Sequence, residues 1–125
     1  MAKINSKQKG KRGERIVAKK LQEYGYDARR GQQYAGIHGD ADVVGLPHVH
    51  IEVKFTERLN VWNALAQSIR DAKENEVPTV FFKKNRSDIY VAMPLGEFME
   101  MYKAWEQTIT INHIKETQNG KTETD

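Results

Sequence analysis

The sequence predicts an α/β (α+β) domain, a mixed sheet of about five strands with helices packed on it. Three observations carry that prediction. Residues 39–55 contain two short apolar runs, Val43-Val44 and Val49 to Phe55, around a Gly45-Leu46-Pro47 turn, which reads as a β-hairpin. Segments with apolar residues three and four apart lie on either side of it, the spacing of amphipathic helices. A second strand pair, 77–83 and 88–93, is joined by the basic turn Lys83-Lys84-Asn85-Arg86.

Each element has its own signal. Residues 1–9 are polar and basic, lack periodicity and are expected to form a loose arm. A helix is expected to start between Gly10 and Arg12 and run to Tyr24, with Gly25 as its stop. Its apolar stripe is Val17, Leu21 and Tyr24, and Glu14 sits one turn earlier on the same stripe. A carboxylate there either answers the positive end of the helix or reaches a site beside it. Arg12, Arg15, Lys19 and Lys20 occupy the remaining faces, as phosphate contacts or as solvated surface.

Residues 26–30 read as a first strand ending in Arg29 and Arg30. Residues 31–39, with three glycines and no period, read as a loop, either a plain connector or one whose Tyr34 and two glutamines could touch a nucleic acid. Residues 60–75 read as a second helix with Val61, Leu65, Ile69 and Ala72 as its stripe and Gln67 away from it. Pro94 starts a third helix to about Trp105, packing through Leu95, Phe98, Met99 and Tyr102. Beyond Gln107 the sequence turns polar; Ile109 and Ile111 alternate weakly, as in a short edge strand, and residues 115–125 are expected to be disordered. The expected organisation is therefore a basic arm (1–9), one domain (10–106) and a polar, flexible tail (107–125).

The chemistry concentrates in the first hairpin. In its second strand, Ile51, Val53 and Phe55 point one way and His50, Glu52 and Lys54 the other. If Gly45 pairs with Val49 across the turn, Asp42 lies opposite Glu52 and on its face. Like charges placed directly opposite repel, so the arrangement is a poor stability device. A hard divalent cation would relieve the repulsion: Mg²⁺ takes one or two carboxylates and fills its octahedron with water and phosphate oxygens. Such an ion polarises a phosphoryl oxygen and activates water. Lys54 could hold that water or meet charge developing on the phosphate, and the Val53 carbonyl is a further oxygen ligand. The bland alternative is an exposed strand face with an ordinary Glu-Lys pair, worth little energetically. Asp40 rivals Asp42 but lies further out in glycine-rich backbone, whereas Asp42 leads directly into Val43-Val44. His38, His48 and His50 invite a zinc reading, but zinc sites usually hold a third or fourth protein ligand in place.

Asp42 followed by Glu52-Val53-Lys54 resembles the Asp…Glu-x-Lys signature of the PD-(D/E)XK nuclease superfamily. The wider frame is 9–15 (Lys-Gly-Lys-Arg-Gly-Glu-Arg) before a helix, then Ala41-Asp42-Val43-Val44-Gly45, then Ile51-Glu52-Val53-Lys54. It is similar to the Holliday junction resolvases of archaea and phages, and the similarity extends over residues 9–105. One departure is Ala41, where the superfamily has proline; the acid after it is kept. The resemblance implies a restriction-endonuclease-like core and a Mg²⁺-dependent endonuclease, with Mn²⁺ expected to substitute. It implies Asp42 and Glu52 as metal ligands, Glu14 as an additional one, Lys54 positioning the nucleophile and Gln67 in support. It also implies a homodimer acting on four-way or other branched DNA and leaving a 5′-phosphate and a 3′-hydroxyl. Lys7, Lys9, Lys11, Arg12, Arg15, Arg29 and Arg30 are the expected DNA contacts.

Composition sets outer bounds. The 125 residues carry a formal net charge of +3, but unevenly: from Lys3 to Lys20 a run of basic residues meets a single acid, Glu14. A localised basic segment is an electrostatic footprint for phosphates. The absence of cysteine excludes disulfides and thiolate metal sites and fits a reducing cytoplasm. No apolar run approaches the roughly 20 residues that span a bilayer, and no apolar segment follows the basic start as in a signal peptide. An intracellular protein is expected, of phage or prophage origin in a bacterial host by the resemblance. Two other readings remain open at this stage: a nuclease of the same core with a nicking, repair, restriction-like or RNA substrate, and a non-catalytic DNA-binding protein. A panel of junction, flap, duplex and single-stranded substrates separates the first. Metal-independent binding without cleavage would mark the second.

Overall fold

Five strands pair in sequence order, β1 (Arg29–Arg30), β2 (Val43–Val44), β3 (Val49–Phe55), β4 (Val77–Lys83) and β5 (Tyr90–Ala92), into one mixed sheet. The computed structural model describes residues 6–32 and 41–120. The residues 33–40, which include most of the glycine-rich loop with Tyr34 and also His38 and Asp40, lie outside the described residues, as do 1–5 and 121–125. All neighbouring strands are antiparallel except β3 and β4, which are parallel. A parallel pair needs a crossover, and α2 (Val61–Asp71) supplies it. This is the restriction-endonuclease-like α+β arrangement that the sequence predicts.

Two helices frame that sheet within the first of two compact units, Met1–Met93. α1 (Ser6–Glu23) packs on the side of β3 that carries Ile51, Val53 and Phe55. Val17, Ala18, Ala28, Val43, Ile51 and Val53 form the buried cluster there. Burying a side chain of valine or isoleucine size stabilises by roughly 1.5–3 kcal/mol, so this small set holds α1 to the sheet. α2 covers the opposite side of β3. Its N-cap is Asn60, whose side chain accepts from the Asn63 amide at 3.1 Å.

Several expectations about elements are corrected. α1 begins at Ser6, before the predicted start at 10–12, and takes Gly10 and Gly13 into its first turns. Tyr24 lies past the end of α1 and is exposed, while Ala18 is buried beside Val17. β1 is limited to Arg29–Arg30 and β5 to Tyr90–Ala92, shorter than 26–30 and 88–93. α2 ends at Asp71, and its inward residues are Ala64 and Ser68, while Ile69 is half exposed. The rotation has a cause. The strand face under α2 is polar, and Ser68 Oγ donates to the Thr79 carbonyl at 2.9 Å while Thr79 Oγ1 donates to the His50 carbonyl at 2.8 Å. A small polar helix face fits there; an isoleucine does not.

β3 is dry on both faces, which removes the alternative of an ordinary exposed strand face. His50 and Glu52 are 4% and 3% exposed, as buried as Ile51 and Val53 on the other side. The second unit, Pro94–Asp125, contains α3 (Leu95–Gly120), which runs through residues 107–120 where a tail with a short edge strand was expected. Once nucleated, a helix propagates cheaply, and no proline interrupts this one. Within it Tyr102 lies 6.2 Å from Phe98 and 5.6 Å from Trp105, centroid to centroid. Among the described residues, no helix is long and apolar enough to cross a membrane.

Candidate active site

The site forms where β2 gives out along the edge of β3. The register Val43↔Ile51 is the predicted one, and one step further Asp42 faces Glu52. Asp42 donates its backbone N–H to the Ile51 carbonyl at 3.0 Å, and its Oδ2 accepts from the Val53 amide at 2.8 Å. The carboxylate thus takes the place of the next ladder partner of β3, which fixes its direction. Gly45 makes the hairpin tight enough for this. Its φ is +104°, and an added Cβ would run into the Asp27 carbonyl oxygen.

Glu52 is held at both oxygens. Its Oε1 lies 2.8 Å from His50 Nε2, and its Oε2 accepts from Gln67 Nε2 at 3.4 Å. Gln67 therefore turns toward the site, although the predicted stripe of α2 placed it away. His50 in turn has Glu76 Oε1 3.8 Å from its Nδ1. Burial disfavours a charged His50, but the hydrogen bond to Glu52 and the charges of Glu52, Glu76 and Asp71 outweigh it and raise its pKa. Sequence reasoning placed His50 on the face of Glu52 without giving it a function. The signal was its position two residues before Glu52 in an alternating strand.

The acid pair is electrostatically strained. The Asp42 carboxyl is pushed up to about 7, first by burial, then by the charge of Glu52 and to a smaller extent that of Glu14, against the stabilising Val53 amide. Asp42 therefore tends to keep its proton near neutral pH. Glu14 is turned to Arg30, whose Nε donates to its Oε1 at 3.0 Å. Among the described residues no group of three or more histidines and acids is gathered to hold a metal ion. The donor set that exists, two carboxylates and backbone oxygen, suits a hard divalent cation that completes its shell with water and phosphate. The raised Asp42 pKa is the debt such a cation would relieve.

The other predicted residues fall in distinct places. Lys54 is half-buried, two residues past Glu52 on the same strand face. Lys9, Lys11, Arg12 and Arg15 are exposed on α1, and Arg29 is exposed at the sheet edge. Arg30 is committed to Glu14. The Lys7 side chain lies outside what is described.

A family model described as "Phage putative PDDEXK endonuclease" matches residues 5–125. No curated protein and no solved structure shows significant similarity. The matched span takes in the acid before β2, the Glu-x-Lys of β3 and both helices that enclose them. The chain belongs to the phage PD-(D/E)XK endonuclease family.

Proposed function

We propose that the protein is a divalent-metal-dependent DNA endonuclease that cuts branched DNA, a Holliday junction resolvase. The observation that carries the metal-dependent part is the opposed pair of half-buried Asp42 and buried Glu52, with the Asp42 carboxyl raised to about 7. Asp42 and Glu52 hold Mg²⁺, or Mn²⁺ in its place, with the Val53 carbonyl as a further oxygen donor. When bound, the ion supplies a polarised phosphoryl oxygen and an acidified water. Glu14 can join as a ligand only by exchanging Arg30, which is then free for a phosphate. Gln67 and His50 keep the Glu52 carboxylate in place. Lys54 orients the attacking water and meets charge building on the phosphate. The reaction is in-line attack of water on a phosphodiester, leaving a 5′-phosphate and a 3′-hydroxyl as the resemblance implies. Lys7, Lys9, Lys11, Arg12, Arg15 and Arg29 contact the DNA backbone.

The junction part of the reading rests on the resemblance, and so does the homodimer: a four-way junction offers two symmetric cleavage points, which a two-fold dimer matches. The test uses a labelled four-way junction and its linear duplex arms, with Mg²⁺ or EDTA. Metal-dependent paired nicks in the junction alone are expected. Equal cutting of junction and duplex would replace the resolvase with a general nuclease, and binding without cutting under any metal would remove the enzyme.

A further inference from the structure

A second basic feature lies beside the acid pair and is not part of it. A groove of about 560 Å³ is lined by Lys9, Arg12 and Gly13 of α1, Phe55 at the end of β3, and Lys83 and Lys84 leading into the turn after β4. Among the described residues four cations border it and no acid does. Among the described residues none of the four is within ion-pair distance of a carboxylate. Cations gathered in one concavity repel each other, so the groove is poised for an anion.

The groove is built rather than left over. An added Cβ on Gly13 would meet the Phe55 ring at 3.1 Å, so the glycine lets α1 approach the end of β3 closely and carries Lys9 and Arg12 with it. On the opposite wall the turn is tied down. Lys84 N donates to Ser87 Oγ at 3.1 Å, Ser87 N donates to the Lys84 carbonyl at 3.2 Å, and Asn85 N donates to Glu57 Oε1 at 3.0 Å. Lys83 Nζ stands 5.5 Å above the Phe55 ring and donates to the Lys84 carbonyl at 3.2 Å, which fixes one cation over the floor. Gly13 adjoins Glu14 and Phe55 adjoins Lys54 in sequence, so groove and acid pair share the C-terminal end of β3. The separation from Glu52 to Phe55 along the strand is about 10 Å at roughly 3.3 Å per residue, a few nucleotide steps of a DNA strand.

We infer that this groove is a phosphate-binding subsite that grips the backbone of the substrate strand a few nucleotides from the cut, without reading bases. Phe55 lies against Gly13 with Lys83 Nζ over its ring, and the polar groups that face the groove are cationic, so the ligand is phosphodiester. The inference deepens the nuclease reading and rests on it for the identity of the strand.

The test measures binding of a random-sequence duplex by fluorescence anisotropy in EDTA over a series of salt concentrations, where no cleavage occurs. Lys84→Ala and the double variant Lys83→Gln/Lys84→Ala are compared with Lys103→Ala/Lys115→Ala, which removes two exposed lysines of α3. The groove variants are expected to lower the salt slope by about 0.9 for each phosphate no longer neutralised and to weaken binding several-fold. The control should change neither. Metal-dependent cleavage at saturating DNA should stay within about threefold of the unmodified protein. An unchanged slope in Lys84→Ala, or an equal loss in the Lys103/Lys115 control, would overturn the subsite. If the groove variants lose binding but the unmodified protein cuts nothing with any metal, the nuclease reading fails and the subsite stands.

Discussion

Asp42 carries the site's cost as well as its chemistry. Its ordinary pKa of 3.8 is raised to about 7 in the fold, so the folded state binds the proton more tightly than the unfolded chain does. The stability from that proton is fully present below about pH 3.8 and is lost as pH rises through 7. Asp42→Asn keeps an acceptor for the Val53 amide and removes the charge. Urea unfolding in EDTA should find it more stable than the unmodified protein at pH 8, by about 2 kcal/mol after discounting for partial exposure, with the gap closing toward pH 4. The same variant should not cleave but should still bind DNA. Lower stability than the unmodified protein at pH 8 would contradict the strained pair. For His50 the outcome divides by shape. Glutamine can reach Glu52 with its Nε2 and should retain metal affinity, while leucine cannot and should weaken Mg²⁺ binding, read by calorimetry, by 10–100-fold at about equal DNA affinity. Equal affinity in the two variants would deny His50 its hold on Glu52. The opposition of Asp42 and Glu52 was legible in the sequence because the turn length sets the register. The grip on Glu52 was not, since alternation tells which face a residue is on but not what covers it.

Elements follow the same division between what period reveals and what packing decides. The first hairpin was legible because Gly45 marks its turn, and that glycine is required. Gly45→Ala combines a left-handed φ with a Cβ against the Asp27 carbonyl, and should cost about 2 kcal/mol or more in urea unfolding. Cleavage should fall with it, because a shifted hairpin separates Asp42 from Glu52. A loss under about 0.5 kcal/mol would mean that the backbone relaxes and that the turn does not set the site. α2 was legible as a helix but not in its rotation: the apolar positions Val61, Leu65 and Ile69 form a good stripe, yet the sheet presents Glu52, His50 and Thr79, and the helix turns Ala64, Gln67 and Ser68 to them. The polar stretch after Gln107 misled in the other direction, because weak alternation at Ile109 and Ile111 resembled a strand while helix continuation needed only the absence of a breaker.

For the whole molecule, the functional question is whether two sites act together. A resolvase must cut two strands of one junction, and a single acid pair per chain can cut only one at a time. If the chain works as a two-fold dimer, mixing equal amounts of unmodified protein and Asp42→Asn and allowing exchange makes about half of all dimers half-active and leaves about a quarter fully active. Half-active dimers can nick but cannot pair their cuts. On a labelled junction held in a cruciform plasmid, single nicks should therefore accumulate while linear product falls to about a quarter of its unmixed yield. Independent monomers behave differently: inactive chains merely dilute active ones, so linear product should track the active half and no excess of nicked circles should appear. Light scattering of the mixture before addition of DNA gives the mass of the exchanging species and separates a preformed dimer from one assembled on the junction. The basic footprint of the chain was legible from Lys3 to Lys20, but its second wall at Lys83 and Lys84 becomes part of one surface only when α1 meets the end of β3. A dimer would repeat that surface twice, and a junction, with its four arms of backbone, has phosphate enough to meet both copies.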